Sequence, residues 1–265
     1  MSDVNSGDIV EERTDIFYLL FEKRYANSFF NRSFITDYFP WFNGWITIWL
    51  QLILLIPLIY FVNQILSSIQ REWFAAFTYW TVWITFFYLI ASIWANLFSW
   101  VPYLDLKWIP THLGSVSMCV TTLAFTVSWT FLHPMAYIEL GFATQDAINA
   151  HINDAGIHTL PFLAAYLNYI FLTDAPVYVT DVFVTYTIIV IYMIWNYYFY
   201  KTYGVVQYFF LNWSDPSSFW ITAVFYVWLQ GTFTVINTTL ALISQTANGE
   251  YEWQTTEALV YALTR

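Results

Sequence analysis

The chain has 265 residues, of which 59% are apolar, 23% aromatic and only 10% charged. Soluble domains carry roughly 25% charged residues, and a water-soluble fold of this length could not hide so many Trp, Tyr and Phe rings; the composition excludes a disordered chain, a disulfide scaffold and a soluble enzyme, and points to an integral membrane protein. The net charge of −10 arises from 8 Lys and Arg against 18 Asp and Glu, which argues against a nucleic-acid partner, whose phosphates need clustered cations, and leaves no polybasic anchor for anionic lipid.

Residues 1–40 are too polar to span a bilayer: Asp3, Asp8, Glu11, Glu12 and Asp15 come early, and Glu22-Lys23-Arg24 interrupts the next apolar stretch. So acidic a start fits neither a secretory signal nor a mitochondrial transit peptide. It reads as a polar arm in which residues 16–21 predict an interfacial helix. Six apolar runs follow, each near the length of about 20 residues that a membrane-crossing helix needs. They cover 41–66 with Pro57 inside, 73–98, 109–137 with Pro134 bending its end, 155–173, 178–203 closed by Gly204, and 217–243 after the turn at 212–216. The polar stretch 139–154 reads as the connection between the third and fourth runs, and 246–265 as a polar tail ending in a short amphipathic helix. A barrel would show alternating segments of about ten residues; these runs are longer and apolar on both parities. The expected fold class is therefore all-α, a polytopic bundle of six transmembrane helices over 41–245.

With the N-terminus inside, Arg13, Lys23, Arg24, Arg32, Lys107 and Arg265 fall on the inner side and only Arg71 and Lys201 on the outer, so the positive-inside rule puts both termini inside. Cys119, the single cysteine, lies in an apolar run and reads as a small packed hydrophobe. Ionisable groups inside spans are costly and therefore functional candidates: His112, His133, His158, Asp181 and Lys201, supplemented by Asn63, Asn168, Asn196, Gln230 and Asn237. For each alone, the competing explanation is interhelical hydrogen bonding or snorkelling to the interface.

The run Asn153-Asp-Ala-Gly156-Ile-His158-Thr-Leu-Pro161-Phe162 resembles the His-Thr signature of the androgen-induced membrane hydrolase family, which includes the androgen-dependent TFPI-regulating proteins and, more distantly, the rolling stone proteins. Trp195 through Gly204 to Tyr208-Phe-Phe-Leu211 resembles that family's next span, and Leu211-Asn-Trp-Ser-Asp-Pro216 the turn after it in rolling stone relatives. Upstream, Ala76-Phe-Thr78-Tyr-Trp-Thr81 is similar to the segment that carries the family's threonine. One departure is Asp154-Ala155, where the family commonly has Asn-His. The resemblance covers about 73–245. It implies a six-helix hydrolase without a cofactor that cleaves fatty-acid esters of hydroxy fatty acids, with Thr78 as nucleophile and His158 as base, in the endoplasmic reticulum or another endomembrane.

Topology tests the same pair. A threonine hydroxyl is a poor nucleophile unless a base within about 2.6–3.2 Å accepts its proton. Helices 2 and 4 of six run in the same direction, with Thr78 about five residues into one and His158 about four into the other; at 1.5 Å rise per residue, their depths differ by only a few ångströms. Thr47, early in helix 1, and Thr111-His112, at the start of helix 3, lie at the wrong end. Helix 5 ends on the side of Thr78 and brings Asn196, Tyr200 and Lys201 toward it as candidate oxyanion donors. His133 beside Pro134 reads as an interfacial packing residue. His151 and Asp154 fall in the expected loop, without a further spaced ligand to suggest a metal site.

Two functions compete. One is a lipid esterase whose long apolar ester enters laterally between helices. The other, favoured by the aromatic surplus and the Asp154-Ala155 departure, is a non-catalytic subunit of a larger membrane complex, with the mitochondrial inner membrane as an alternative location. A transporter is disfavoured because no charged midplane pathway appears.

Overall fold

The computed structural model describes residues 44–67, 76–98, 108–173 and 181–248, with side chains described up to Ile236 in the last segment. The polar arm with its expected interfacial helix, the tail beyond Asn248, every topology-setting cation except Lys201, and the Asn237 side chain lie outside the described residues.

All regular structure among the described residues is helical. In hydrocarbon a backbone must satisfy its own N–H and C=O groups, and long apolar runs do so by closing i→i−4 hydrogen bonds. The elements are α1 (Gly44–Ser67), α2 (Phe77–Leu97), α3 (Trp108–Val127), α4 (His133–Leu140), α5 (Gln145–Leu167), α6 (Asp181–Tyr203) and α7 (Ser217–Asn248). A π-helical turn, Ser128–Leu132, joins α3 to α4, and another, Asn168–Leu172, extends α5. Among the described residues six helices are long and apolar enough to cross a membrane, α3 through α4 counting as one.

The first π turn has a local cause. Pro134 has no N–H and its ring crowds the carbonyl of Thr130; widening the turn lets the His133 amide donate to Ser128 O instead, so the chain continues as helix through the proline. The larger difference lies in α5. It begins at Gln145, ten residues before the expected start, because Thr144 accepts a side-chain bond from the Ala147 amide and Asp146 complements the helix dipole in the first turn. His151 and Asp154 are therefore helical, not loop, residues.

α3 is the hub of the bundle and packs against α2, α5, α6 and α7, while α1 closes the far side against α2 and α5. Tyr88, Met118, Cys119, Ala165, Tyr169 and Ile189 form its fully buried centre. Gly114 permits this approach: a Cβ there would fall 2.4 Å from the Tyr169 ring and 3.0 Å from that of Tyr88. A polar clasp holds α1, α2 and the end of α5 together. Asn96 Nδ2 donates to Gln51 Oε1 at 2.9 Å, Gln51 Nε2 to Asn168 Oδ1 at 2.9 Å, and Asn168 Nδ2 to Ser92 Oγ at 3.1 Å. All four side chains are buried, so each is held at the positions its partners require.

Candidate active site

α2 starts at Phe77, with Ala76 extended as its N-cap and no side-chain cap bond. Thr78 thus sits in the first turn, where backbone N–H groups lack helical partners. His158 lies on α5, about 20 Å along that helix from its start. The two side chains are buried and in contact, Thr78 Oγ1 to His158 Nδ1 at 3.3 Å. On the other side of the ring, His158 Nε2 lies 3.5 Å from Asp154 Oδ1, one helical turn earlier. A carboxylate only accepts, so Nε2 carries the ring proton and Nδ1 is left to accept from the Thr78 hydroxyl. The second oxygen of Asp154 takes the Nδ1–H of His133 at 3.1 Å.

Asp154 is the residue that sequence reasoning missed. Placed in a loop it had no defined direction; placed on α5 its i,i+4 spacing to His158 puts both on one face. His133 comes with it: its ring packs against Trp129 with centroids 4.7 Å apart and turns its N–H to the carboxylate. Beyond it, Tyr137, Phe142 and His151 form an aromatic cap, with Phe142 4.5 Å from His151 and 4.4 Å from Tyr137, and His151 Nε2 lies 2.9 Å from the Gly141 carbonyl.

Thr78 and His158 open into a pocket of about 430 Å³, its mouth included. Its wall is otherwise apolar or aromatic and includes Leu123, Val127, Ile189 and Phe225, from α3, α6 and α7. The segment after α6 supplies a further wall. Gly204, at φ +67°, reverses the chain as its amide caps Tyr200 O at 2.8 Å. Residues 205–211 then return toward the bundle and bury Tyr208 and Leu211. The Phe77 amide donates to the Tyr208 phenol oxygen at 2.9 Å, supplying the cap that Ala76 cannot, and Tyr208 lines the pocket together with Thr78 and Tyr192.

None of the three candidates from the end of helix 5 is among the residues that line the pocket. Asn196 is buried, but its Oδ1 accepts from Trp213 Nε1 at 2.7 Å and its Nδ2 donates to the Tyr192 hydroxyl at 3.2 Å, so it supports the wall from behind. Tyr200 is half-buried, and Lys201 is exposed with its ammonium over the Tyr197 and Tyr200 rings. At the opposite end of the bundle, His112 and Asp181, read as separate ionisable groups, form one pair at 2.6 Å. Ser115 donates to the other Asp181 oxygen, and the cluster ties the start of α6 to α3. Among the described residues no group of three or more His, Cys, Asp or Glu side chains is arranged to hold a metal ion.

No protein-family model matches the chain, and neither a curated protein nor a solved structure shows significant similarity to it.

Proposed function

We propose that this integral membrane protein is an intramembrane lipid ester hydrolase in which Thr78 is the nucleophile, His158 the general base and Asp154 the group that orients the base. The observation that carries this is the contact of a buried threonine with a histidine whose other nitrogen faces a carboxylate, at the wall of an apolar pocket. A nucleophile, a base and an orienting group in mutual contact are the common parts of acyl-transfer sites, and an apolar pocket with a few convergent polar groups is the usual form of a small-molecule site. In attack, the Thr78 hydroxyl proton passes to His158 Nδ1 as Oγ1 bonds to the ester carbonyl carbon. Collapse of the tetrahedral intermediate breaks the bond to the alkoxy oxygen, which leaves as the alcohol with that proton. Water, activated by the same nitrogen, then frees the acyl group as a carboxylic acid. Asp154 keeps the ring proton on Nε2 and stabilises the imidazolium of each step.

The resemblance of the His158 and Thr78 segments to the androgen-induced hydrolases supports a long-chain fatty-acid ester as substrate and an endomembrane location. Thr78→Ala and His158→Ala are each expected to abolish turnover of a long-chain ester in detergent while leaving expression intact, with the double variant no worse than either single one. A serine-directed fluorophosphonate lipid probe should label wild type and Thr78→Ser but not Thr78→Ala; labelling of Thr78→Ala places the nucleophile elsewhere. A second reading, a subunit of a larger membrane assembly, is favoured by one observation: only 17% of the last span's apolar window is buried, against 39% to 56% in the others. In that case the purified protein turns over no ester and migrates with stoichiometric partners after mild solubilisation.

A further inference from the structure

The Tyr208 phenol has more donors aimed at it than a structural tyrosine needs. Its oxygen receives the Phe77 amide at 2.9 Å. The Tyr192 hydroxyl, which accepts from the Asn196 amide, interacts with Tyr208 as well, and the Thr78 amide faces the same phenol. A phenol oxygen accepts two such bonds and gives one. With donors from the Phe77 amide and its other neighbours on both acceptor positions, the Tyr208 proton points to Thr78 Oγ1, beside it on the pocket wall. The contacts then run in one consistent direction, with Trp213 on Asn196 and Asn196 on Tyr192, Tyr208 between Tyr192 and Thr78 on the pocket wall, and Thr78 on His158, whose far nitrogen faces Asp154. Tyr208 sets the direction of the nucleophile's proton by occupying the other face of its oxygen. Tyr208 also lines the pocket beside Thr78 and His158.

We infer that Tyr208 is the oxyanion donor of this site, an inference that rests on Thr78 being the nucleophile. When Thr78 Oγ1 bonds to the carbonyl carbon and gives its proton to His158, it becomes an ester-type oxygen, a poorer acceptor than the hydroxyl it was, and the phenol O–H is released to a better one. The charge released by attack appears on the carbonyl oxygen, two bonds from Oγ1 and within the swing of the same O–H. The phenol stays protonated throughout: it donates a hydrogen bond to the oxyanion and receives it back on Thr78 Oγ1 when the acyl group leaves. Phe77 N–H and Tyr192 hold the ring oxygen in place, so the donor needs no reorganisation as charge develops. Burial pushes the Tyr208 phenol above its ordinary range, partly offset by the Phe77 amide and the Thr78 and Tyr192 hydroxyls, so the O–H survives into alkaline solution.

The experiment compares wild type, Tyr208→Phe and a protein carrying 3,5-difluorotyrosine at 208, with kcat expressed per fluorophosphonate-reactive site so that partial unfolding cancels. Tyr208→Phe is expected to lose about 10²- to 10³-fold in kcat, the range for a single oxyanion donor, with KM little changed. The difluoro phenol gives up its proton more readily, so the alkaline limb of kcat should move to lower pH, which a purely structural role would not produce. If Tyr208→Phe folds poorly, the difluoro protein, which keeps the O–H, carries the test alone. Wild-type kcat per site in Tyr208→Phe, or an unmoved alkaline limb in the difluoro protein, overturns the assignment while leaving Thr78 and His158 intact. Full reactivity of Thr78→Ala, or an inert wild type, overturns the parent reading and the assignment with it.

Discussion

Replacing Asp154 by Asn keeps the shape of the side chain and an acceptor for His158 Nε2 but removes its charge, which isolates the electrostatic share of the base's support. Two unit charges 3.5 Å apart, the His158–Asp154 separation, attract by about 1 kcal/mol under water-like screening and about 5 kcal/mol at an effective dielectric near 20. The Asp154 side chain is 37% exposed, so the outcome lies between those limits, at about 2–3 kcal/mol. Since the imidazolium exists only after proton transfer, the loss falls on the transition state. It should appear as a drop of about 30- to 150-fold in kcat with KM unchanged. Asp154→Ala, which also frees the ring to rotate, should lose more, and either change combined with His158→Ala should cost nothing further. Steady-state hydrolysis of a chromogenic long-chain ester in mixed micelles reads all four proteins. Wild-type kcat in both Asp154 variants would refute the orienting role, and a fall in Asp154→Asn that persists in the His158→Ala background would show that Asp154 acts by another route.

Two further predictions concern stability, read as thermal unfolding in detergent. Gly114→Ala places a methyl group against the Tyr169 and Tyr88 rings, both fully or almost fully buried. The overpacking, about 1–3 kcal/mol, should outweigh the about 1 kcal/mol that alanine gains in a helix, and an unchanged or raised melting temperature would mean that the α2–α3 interface can open. Asn168→Leu leaves the fully buried Gln51 amide without its acceptor and should cost about 1–3 kcal/mol. Gln51→Leu combined with Asn168→Leu should cost less than the sum of the two single changes.

The six spans were legible because bilayer thickness sets a length that apolar runs must meet. The true start of α5 was not, because hydropathy marks where a helix enters the apolar zone and is silent about turns formed in water. Thr144 and Asp146 carry the start signal there, as a cap and a dipole partner, in a segment whose polarity imitates a loop. Missing it cost Asp154, whose i,i+4 relation to His158 exists only on a helix. Counting residues from the expected starts put Thr78 and His158 level, and the two do meet. The register that brings them together is nevertheless set by packing of α5 against α2, since Thr78 lies in a first turn and His158 far along its helix. The rotation of α6 was unreadable because apolar residues surround it. Depth brought Asn196, Tyr200 and Lys201 to one end, but only packing decides that Asn196 faces Trp213 and Lys201 faces out. Tyr208 reaches the site through a chain reversal at Gly204, a tertiary event with no periodicity to announce it.

The early start of α5 has a kinetic meaning. From Gly156 to Leu172 the helix and its π turn rise about 25 Å, close to the hydrocarbon thickness of about 30 Å. With residues 156–172 spanning the hydrocarbon, the single turn from Asp154 to His158 would fall at the boundary between headgroups and acyl chains, the depth of the ester bonds of acyl lipids. Under the proposed function, a substrate at that depth would not have to leave its leaflet: it would arrive by two-dimensional diffusion with its chain already in hydrocarbon, and the acid would be released where water can ionise it. The proposed hydrolysis should accordingly follow the mole fraction of ester in the membrane surface, and diluting the ester with inert phospholipid should slow it at constant bulk concentration.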